Sequence, residues 1–294
     1  MHKKLVFLTN FSEACFQAVP ALAEWIDREN GELIVLNVEG TGTRSAQTQA
    51  SRLNSFFAEA DRYARSRRVS LHGDALESII DFCRREKPDL VFAPASMPPG
   101  YPRIFHQSLR ARLIAAGGIR LWTKGRAEGS VTTARNPKNV AYVVTGHENW
   151  RDEARSAADF TLRFNAKLHI VYLADWPDVH EGMLAADLRL EDPRATLSEV
   201  QELIASLPAR PFLHKALGRS SGDLIRLLRH SHADVAFIGE QHVIRRSLFS
   251  CRIHPEIDSL ACEIICHPAQ AGVKDAAVSF EKAPPLIAAA EPAN

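Results

Sequence analysis

The feature that most constrains this chain is a stretch that occurs twice. Leu5-Val6-Phe7-Leu8 runs into the polar turn Thr9-Asn10-Phe11-Ser12-Glu13, and Val140-Ala141-Tyr142-Val143-Val144 runs into Thr145-Gly146-His147-Glu148. An apolar run cut off by small polar residues suits a strand buried on both faces of a parallel sheet. After the first turn, Cys15, Ala18, Val19, Leu22, Ala23 and Ile26 recur at helical spacing; after the second, Ala154, Ala157, Ala158 and Leu162 do so. An offset of 135 relates Leu5 to Val140 and Leu33 to Leu168, and an offset of 145 relates Gly73 to Gly218 and Asp89 to Asp234. Both registers keep strand on strand and helix on helix. The extra ten residues fall in the longer segment Ala174 to Arg210. The reading is a duplicated α/β domain.

The first copy reads βαβαβαβαβ. Its further strands are expected at Leu33–Val38, Val69–His72, Leu90–Ala93 and Ile119–Trp122. A polar helix is expected over about Arg44 to Arg68, with Arg62, Arg65, Arg67 and Arg68 at its solvated end. Val69–His72 is the least apolar strand and is placed at a sheet edge. Asp74 is expected to cap a helix that buries Leu76, Ile79, Ile80 and Cys83, and another helix is expected near Gln107 to Ala116. Pro20 lies inside the first helical pattern, where it kinks the helix or marks its first turn. The boundaries are set at 1–124 for the first domain, 125–138 for a linker and 139–270 for the second domain. Residues 271–294, rich in Ala, Pro and Glu, read as a disordered tail.

Composition excludes several classes. A net charge of +1 supplies no global drive onto nucleic acid or anionic membrane. No apolar run approaches the ~18 residues of a membrane span, and the N-terminal run is too short for a secretory signal. Five cysteines at irregular spacing form no disulfide framework, so a reducing cytoplasmic setting is expected. Nine of the twelve histidines lie beyond the linker. Cys251, His254, Cys262, Cys266 and His267 cluster in sequence but match no zinc spacing and are read as structural, so no metal is expected. His230 and His232 are read as structural groups at a helix end. Ser12 and Glu13 are read as a helix start rather than a nucleophile and base. No Gly-x-Ser-x-Gly elbow, Walker loop or Gly-x-Gly-x-x-Gly fingerprint occurs, so no catalytic residue and no enzyme activity are expected.

The segments Leu5–Glu13, Gly31–Val38, Lys87–Phe92 and Ala233–Gly239, in this order and in two copies, resemble the universal stress protein family. The likeness spans about residues 3–124 and 138–269. It implies an adenine-nucleotide alpha hydrolase-like α/β fold: two tandem open parallel five-stranded sheets of order 3-2-1-4-5, helices on both faces, and last strands paired about a pseudo-twofold axis. It also implies a stress-response role and an intramolecular pseudo-dimer, with a further homodimer left open.

In such a sheet a ligand sits beyond the carboxyl ends of the first and fourth strands. ATP-binding members of the family carry Gly-x-x-Gly, nine residues, then Gly-Ser or Gly-Thr after the fourth strand. There glycine lets backbone N–H groups converge on phosphates. Here the first such loop, Pro94 to Pro102, is proline-rich, and proline has no N–H to give. The second keeps Gly239 but has His242 at the next glycine position. The family's adenosine-contacting Asp falls at Asn10 in the first half and at Thr145 in the second. Losing about three charge-assisted contacts at ~1.5 kcal/mol each weakens binding roughly a thousandfold. The expectation is a non-enzymatic binding module with an unnamed protein or small-ligand partner, no nucleic acid, no membrane and no bound cofactor. The alternative is an ATP or AMP sensor using only the second half. The positions proposed for contact are Thr9, Asn10, Thr145, Gly239, Arg245, Arg246 and Ser247.

Overall fold

The computed structural model describes residues 3–29, 31–39, 46–63, 65–94, 108–124, 136–144, 149–174, 197–217, 221–247, 250–258 and 260–268. The tail, Thr145, residues 95–102 of the proline-rich loop and most of the linker lie outside them.

In the first half, β1 (Lys4–Leu8) leads to α1 (Glu13–Glu29), then β2 (Glu32–Glu39), α2 (Ala46–Ser55), a 3-10 turn at Ala58–Arg62 and β3 (Ser66–His72). Next come α3 (Ala75–Glu86), β4 (Leu90–Phe92), α4 (Leu109–Ala116) and β5 (Leu121–Lys124). The second half follows with β6 (Asn139–Val143), α5 (Trp150–Phe164), β7 (Lys167–Ala174), α6 (Leu197–Ser206), β8 (Phe212–Leu217), α7 (Ser221–His230) and β9 (Val235–Gly239). It continues through the short helix α8 (Glu240–Val243), the hairpin β10 (Ile244–Ser247) and β11 (Ser250–Ile253), α9 (Pro255–Asp258) and β12 (Glu263–His267).

The strands form one ten-stranded sheet of order β3-β2-β1-β4-β5-β12-β9-β6-β7-β8. Each half shows the expected order 3-2-1-4-5, and within each half the ladders are parallel. The halves are not two separate sheets. β5 and β12 pair antiparallel from Glu263↔Lys124 to Cys266↔Leu121, which joins them edge to edge. β10 and β11 form a separate two-stranded ladder.

Two apolar layers cover the sheet. On one face Leu5, Phe7, Trp122, Tyr142, Phe237 and Ile265 pack under α1 and α5. These two helices meet across the halves, with the Trp25 ring 4.7 Å from that of Phe160. On the other face Val6, Leu8, Leu36, Val91, Ala141 and Ile264 pack under α3, α4 and α7. Alternate residues of β1 thus serve opposite layers, as the strand period requires. α1 runs on through Pro20 and buries Cys15, Ala18, Ala21, Leu22, Trp25 and Ile26.

Two expectations about local structure shift. The polar helix ends at Ser55, and Arg67 and Arg68 belong to β3. Arg67 reaches Glu32 and Glu86, and Arg68 reaches Asp61 and the Leu53 carbonyl, so paired charges stand on a strand at the sheet edge. The last strand of the first half is Leu121–Lys124, two residues later than expected, because Gly117 and Gly118 both take positive φ after α4.

Candidate functional site

β1 ends where the sequence predicts a ligand crevice. Thr9 is buried; its amide donates to the Leu36 carbonyl at 2.9 Å and its carbonyl accepts from Asn37 Nδ2 at 2.7 Å. Thr9 Oγ1 accepts from the Phe11 amide at 3.0 Å, and Asn10 Oδ1 accepts from the Ser12 amide at 3.1 Å. These local bonds hold Phe11 at a φ of 59°, an uncommon value for a bulky residue. Cys15 Sγ lies 3.2 Å from Asn10 Oδ1 and 3.5 Å from Ser12 Oγ. Glu13 instead accepts from Gln17, so Ser12 and Glu13 are not hydrogen-bonded to each other.

Beyond the ends of β1, β2 and β4 lies a cavity of about 170 Å³. Leu8, Leu36, Val38, Ile79, Ala93 and Leu113 give it apolar walls, with Thr9, Asn10, Cys15, Ser108 and Arg110 also lining it. This volume is below the ~300 Å³ at which pockets for drug-sized ligands begin.

The N-termini of α3 and α4 face this crevice, and side chains of the chain itself cap both. The Asp74 carboxylate accepts from the Leu76 and Glu77 amides at 2.9 and 3.0 Å. Ser108 Oγ accepts from the Ala111 amide at 3.3 Å. Both are N-caps, and they engage amide donors that an anion at these helix starts would otherwise meet. Arg110, the one cationic residue among the described lining, is committed elsewhere. Its guanidinium donates to Thr123 Oγ1 at 3.2 Å, to the Lys124 carbonyl at 2.8 Å and to Asp258 of α9 in the second half.

The second half presents a different surface. Gly239 ends β9 at a φ of −67°, within the range open to any residue. It enters α8 directly and aligns with His267 of β12. Arg245, Arg246 and Ser247 form β10 and pair with Arg252, Cys251 and Ser250. That hairpin packs beside α4 of the first half. The structure therefore brings Thr9 and Asn10 together at one crevice, and places Gly239 and Arg245–Ser247 in the other half. Thr145 lies outside the described residues.

No local pattern announces the groups gathered at the start of α5. Tyr142 donates its hydroxyl to the Trp150 carbonyl at 2.8 Å, and Trp150 is buried. Glu153 Oε1 lies 3.7 Å from His267 Nδ1. Burial pushes Glu153 up to about 7 against the pull of Arg120 and of hydrogen bonding with the Tyr142 side chain. Burial, with Arg120 nearby, pushes His267 down to about 3, and its ring stacks on Phe237 at 5.5 Å. His267 was visible only as part of the Cys/His cluster, and nothing in the pattern paired it with a residue of α5. Burial pushes Cys262 up to about 12 and Cys266 well above the ordinary thiol value, so both stay protonated. Among the described residues no group of three His, Cys, Asp or Glu could hold a metal ion. A second cluster joins His169 Nδ1 to His214 Nε2 at 2.8 Å, with the His230 ring 5.8 Å from that of His214.

No family model matches the sequence, and no curated protein sequence matches it. Among the described residues no helix is long and apolar enough to cross a membrane. Solved structures do match. A universal stress protein from Archaeoglobus fulgidus superposes with a TM-score of 0.64 at 13% identity, over 90% of this chain and 96% of that one. A putative universal stress protein from Pseudomonas aeruginosa UCBPP-PA14 gives 0.58 at 13% identity, over 90% and 93%. A protein of unknown function from Pseudomonas aeruginosa PAO1 gives 0.59 at 12% identity, over 91% and 93%. Each match spans nearly the whole of both chains, so the likeness covers the joined sheet and not one half alone. The chain has the universal stress protein fold.

Proposed function

We propose that the protein is a non-enzymatic, tandem binding module of the stress-response type, working in the cytoplasm without the ATP binding usual for its fold. Two domains, 1–124 and 139–270, pair as an intramolecular pseudo-dimer through β5 and β12. The observation that carries this reading is the self-satisfied crevice. Asp74 holds the Leu76 and Glu77 amides of α3, Ser108 holds the Ala111 amide of α4, and Arg110 is turned toward Asp258. A triphosphate would have to displace these contacts and approach the Asp74 carboxylate, which opposes it. In the second half, extended backbone pairing at Arg245–Ser247 runs along a ladder, where successive amides point in alternate directions and do not converge on one phosphate.

The test is to purify the protein, denature it by heat and assay the supernatant for ATP, ADP and AMP. The expected result is no stoichiometric nucleotide. Release of one nucleotide per chain would favour a sensor that uses Gly239, Arg245, Arg246 and Ser247. Nucleotide hydrolysis abolished by Arg245→Ala would favour an enzyme.

A further inference from the structure

We propose that the crevice at the ends of β1 and β4 binds a small, uncharged, mainly apolar molecule of about benzene's size. This deepens the binding-module reading, and rests on it for treating the crevice as a ligand site. Volume and wall chemistry carry the proposal. The cavity measures about 170 Å³, close to the ~150 Å³ of an apolar cavity known to take up benzene. Its walls come from Leu8, Leu36, Ile79, Ala93 and Leu113, which belong to one apolar layer.

Charge selects against ions of either sign. At α3 and α4 an anion meets first-turn amides that are already engaged, since Asp74 accepts from Leu76 and Glu77 and Ser108 accepts from Ala111. Arg110 carries a positive charge that Asp258 balances. A cation would have to leave water for apolar walls, since no carboxylate is among the described residues that line the cavity. What remains is a neutral body with at most one hydrogen-bonding group, placed at the polar end formed by Thr9, Asn10 and Ser108.

The experiment titrates the full chain with benzyl alcohol, benzoate and benzylammonium, which share a ring and differ in charge. It follows the methyl resonances of Leu8, Leu36, Ile79 and Leu113 by NMR. The expected result is saturable shifts confined to these methyls with benzyl alcohol, and binding roughly tenfold or more weaker for both ions, the ratio that ~1.4 kcal/mol produces. Ala75→Leu, which adds a branched side chain at the cavity wall on the first residue of α3, should abolish the shifts while the rest of the spectrum is kept. If the methyls do not respond to benzyl alcohol in the folded wild-type chain, or if benzoate binds equally well, the proposal falls. Nucleotide released by heat from protein whose methyls still respond would count against the earlier reading alone.

Discussion

The indole N–H of Trp122 donates to Glu263 Oε2 at 2.9 Å, joining β5 of one half to β12 of the other. Both side chains are buried, and Lys124 aligns with Glu263 across the ladder. Trp122→Phe removes the donor and leaves a buried carboxylate short of a partner. The expected loss is about 2 kcal/mol, within the range for an unsatisfied buried acceptor. Urea unfolding measures it. A double-mutant cycle with Glu263→Gln should recover part of the loss, and an additive cycle would show that the bond is not energetically coupled.

Arg110 and Asp258 tie α4 to α9 by a second route between the halves. The Arg110 side chain is 4% exposed and Asp258 23% exposed. Removing one partner of a buried pair strands the other charge, so Asp258→Ala should destabilise by about 2 kcal/mol after allowance for its partial exposure. The exposed pair Arg84–Asp81 is the control, and Asp81→Ala should change stability by less than ~0.5 kcal/mol. Equal effects at the two sites would refute the difference in burial as the cause.

Glu153 sets a pH dependence whose sign is unusual for a carboxylate. Its value is pushed up from 4.5 to about 7, so the folded chain holds a proton that the unfolded chain releases over that window. Stability therefore falls as pH rises from about 4.5 to 7. Glu153→Gln should be more stable than wild type at pH 8 by roughly 2 kcal/mol, with the gap closing near pH 4.5. His267 opposes this over an overlapping window. It stays neutral in the folded chain down to about 3, so acid favours the unfolded chain below 6.5. The Gln variant should uncover that acid-side loss in thermal melts taken from pH 8 to pH 4.

The His169–His214 contact adds an acid-sensitive edge. Burial lowers His169 to about 4, with His214, Lys167 and His232 adding repulsion, and burial with His230 nearby lowers His214. A lowered histidine contributes stability above 6.5 and loses it as pH falls toward 4, when both rings become donors and their shared bond breaks. After allowance for solvent exposure the effect is on the order of 1 kcal/mol. Hydrogen exchange at β8 amides should show protection falling from pH 7 to pH 5 relative to β1. His169→Phe should flatten that slope.

The parts legible in sequence were those with a local signature. β1 and β2 announce themselves through the four-residue apolar runs Leu5–Leu8 and Leu33–Leu36, and the Asp74 cap follows from Gly73-Asp74 before an amphipathic run. The position of the first crevice followed from strand order. β3 was read short because Arg67 and Arg68 look like a helix end until Glu32, Glu86 and Asp61 are placed beside them. The groups that define the site's charge had no local signature at all. Arg110 and Asp258 are 148 residues apart, and their meeting depends on the β5–β12 seam and the hairpin that follows β9. The resemblance to a family supplied the seam in advance, but nothing local predicted which side chains it would bring together.

The antiparallel seam also decides what remains open. A five-stranded half ending in β5 would offer a row of unpaired amides and carbonyls to any passing strand; β12 covers that row from within the same molecule. Within the ten-stranded sheet β3 and β8 are the two strands left with one bare side. Both carry basic residues, Arg67 and Arg68 on one and His214 and Lys215 on the other. A neighbouring copy approaching β3 along the sheet plane would have to bury the ion-paired Arg67 and Arg68, a built-in guard against fibrous growth.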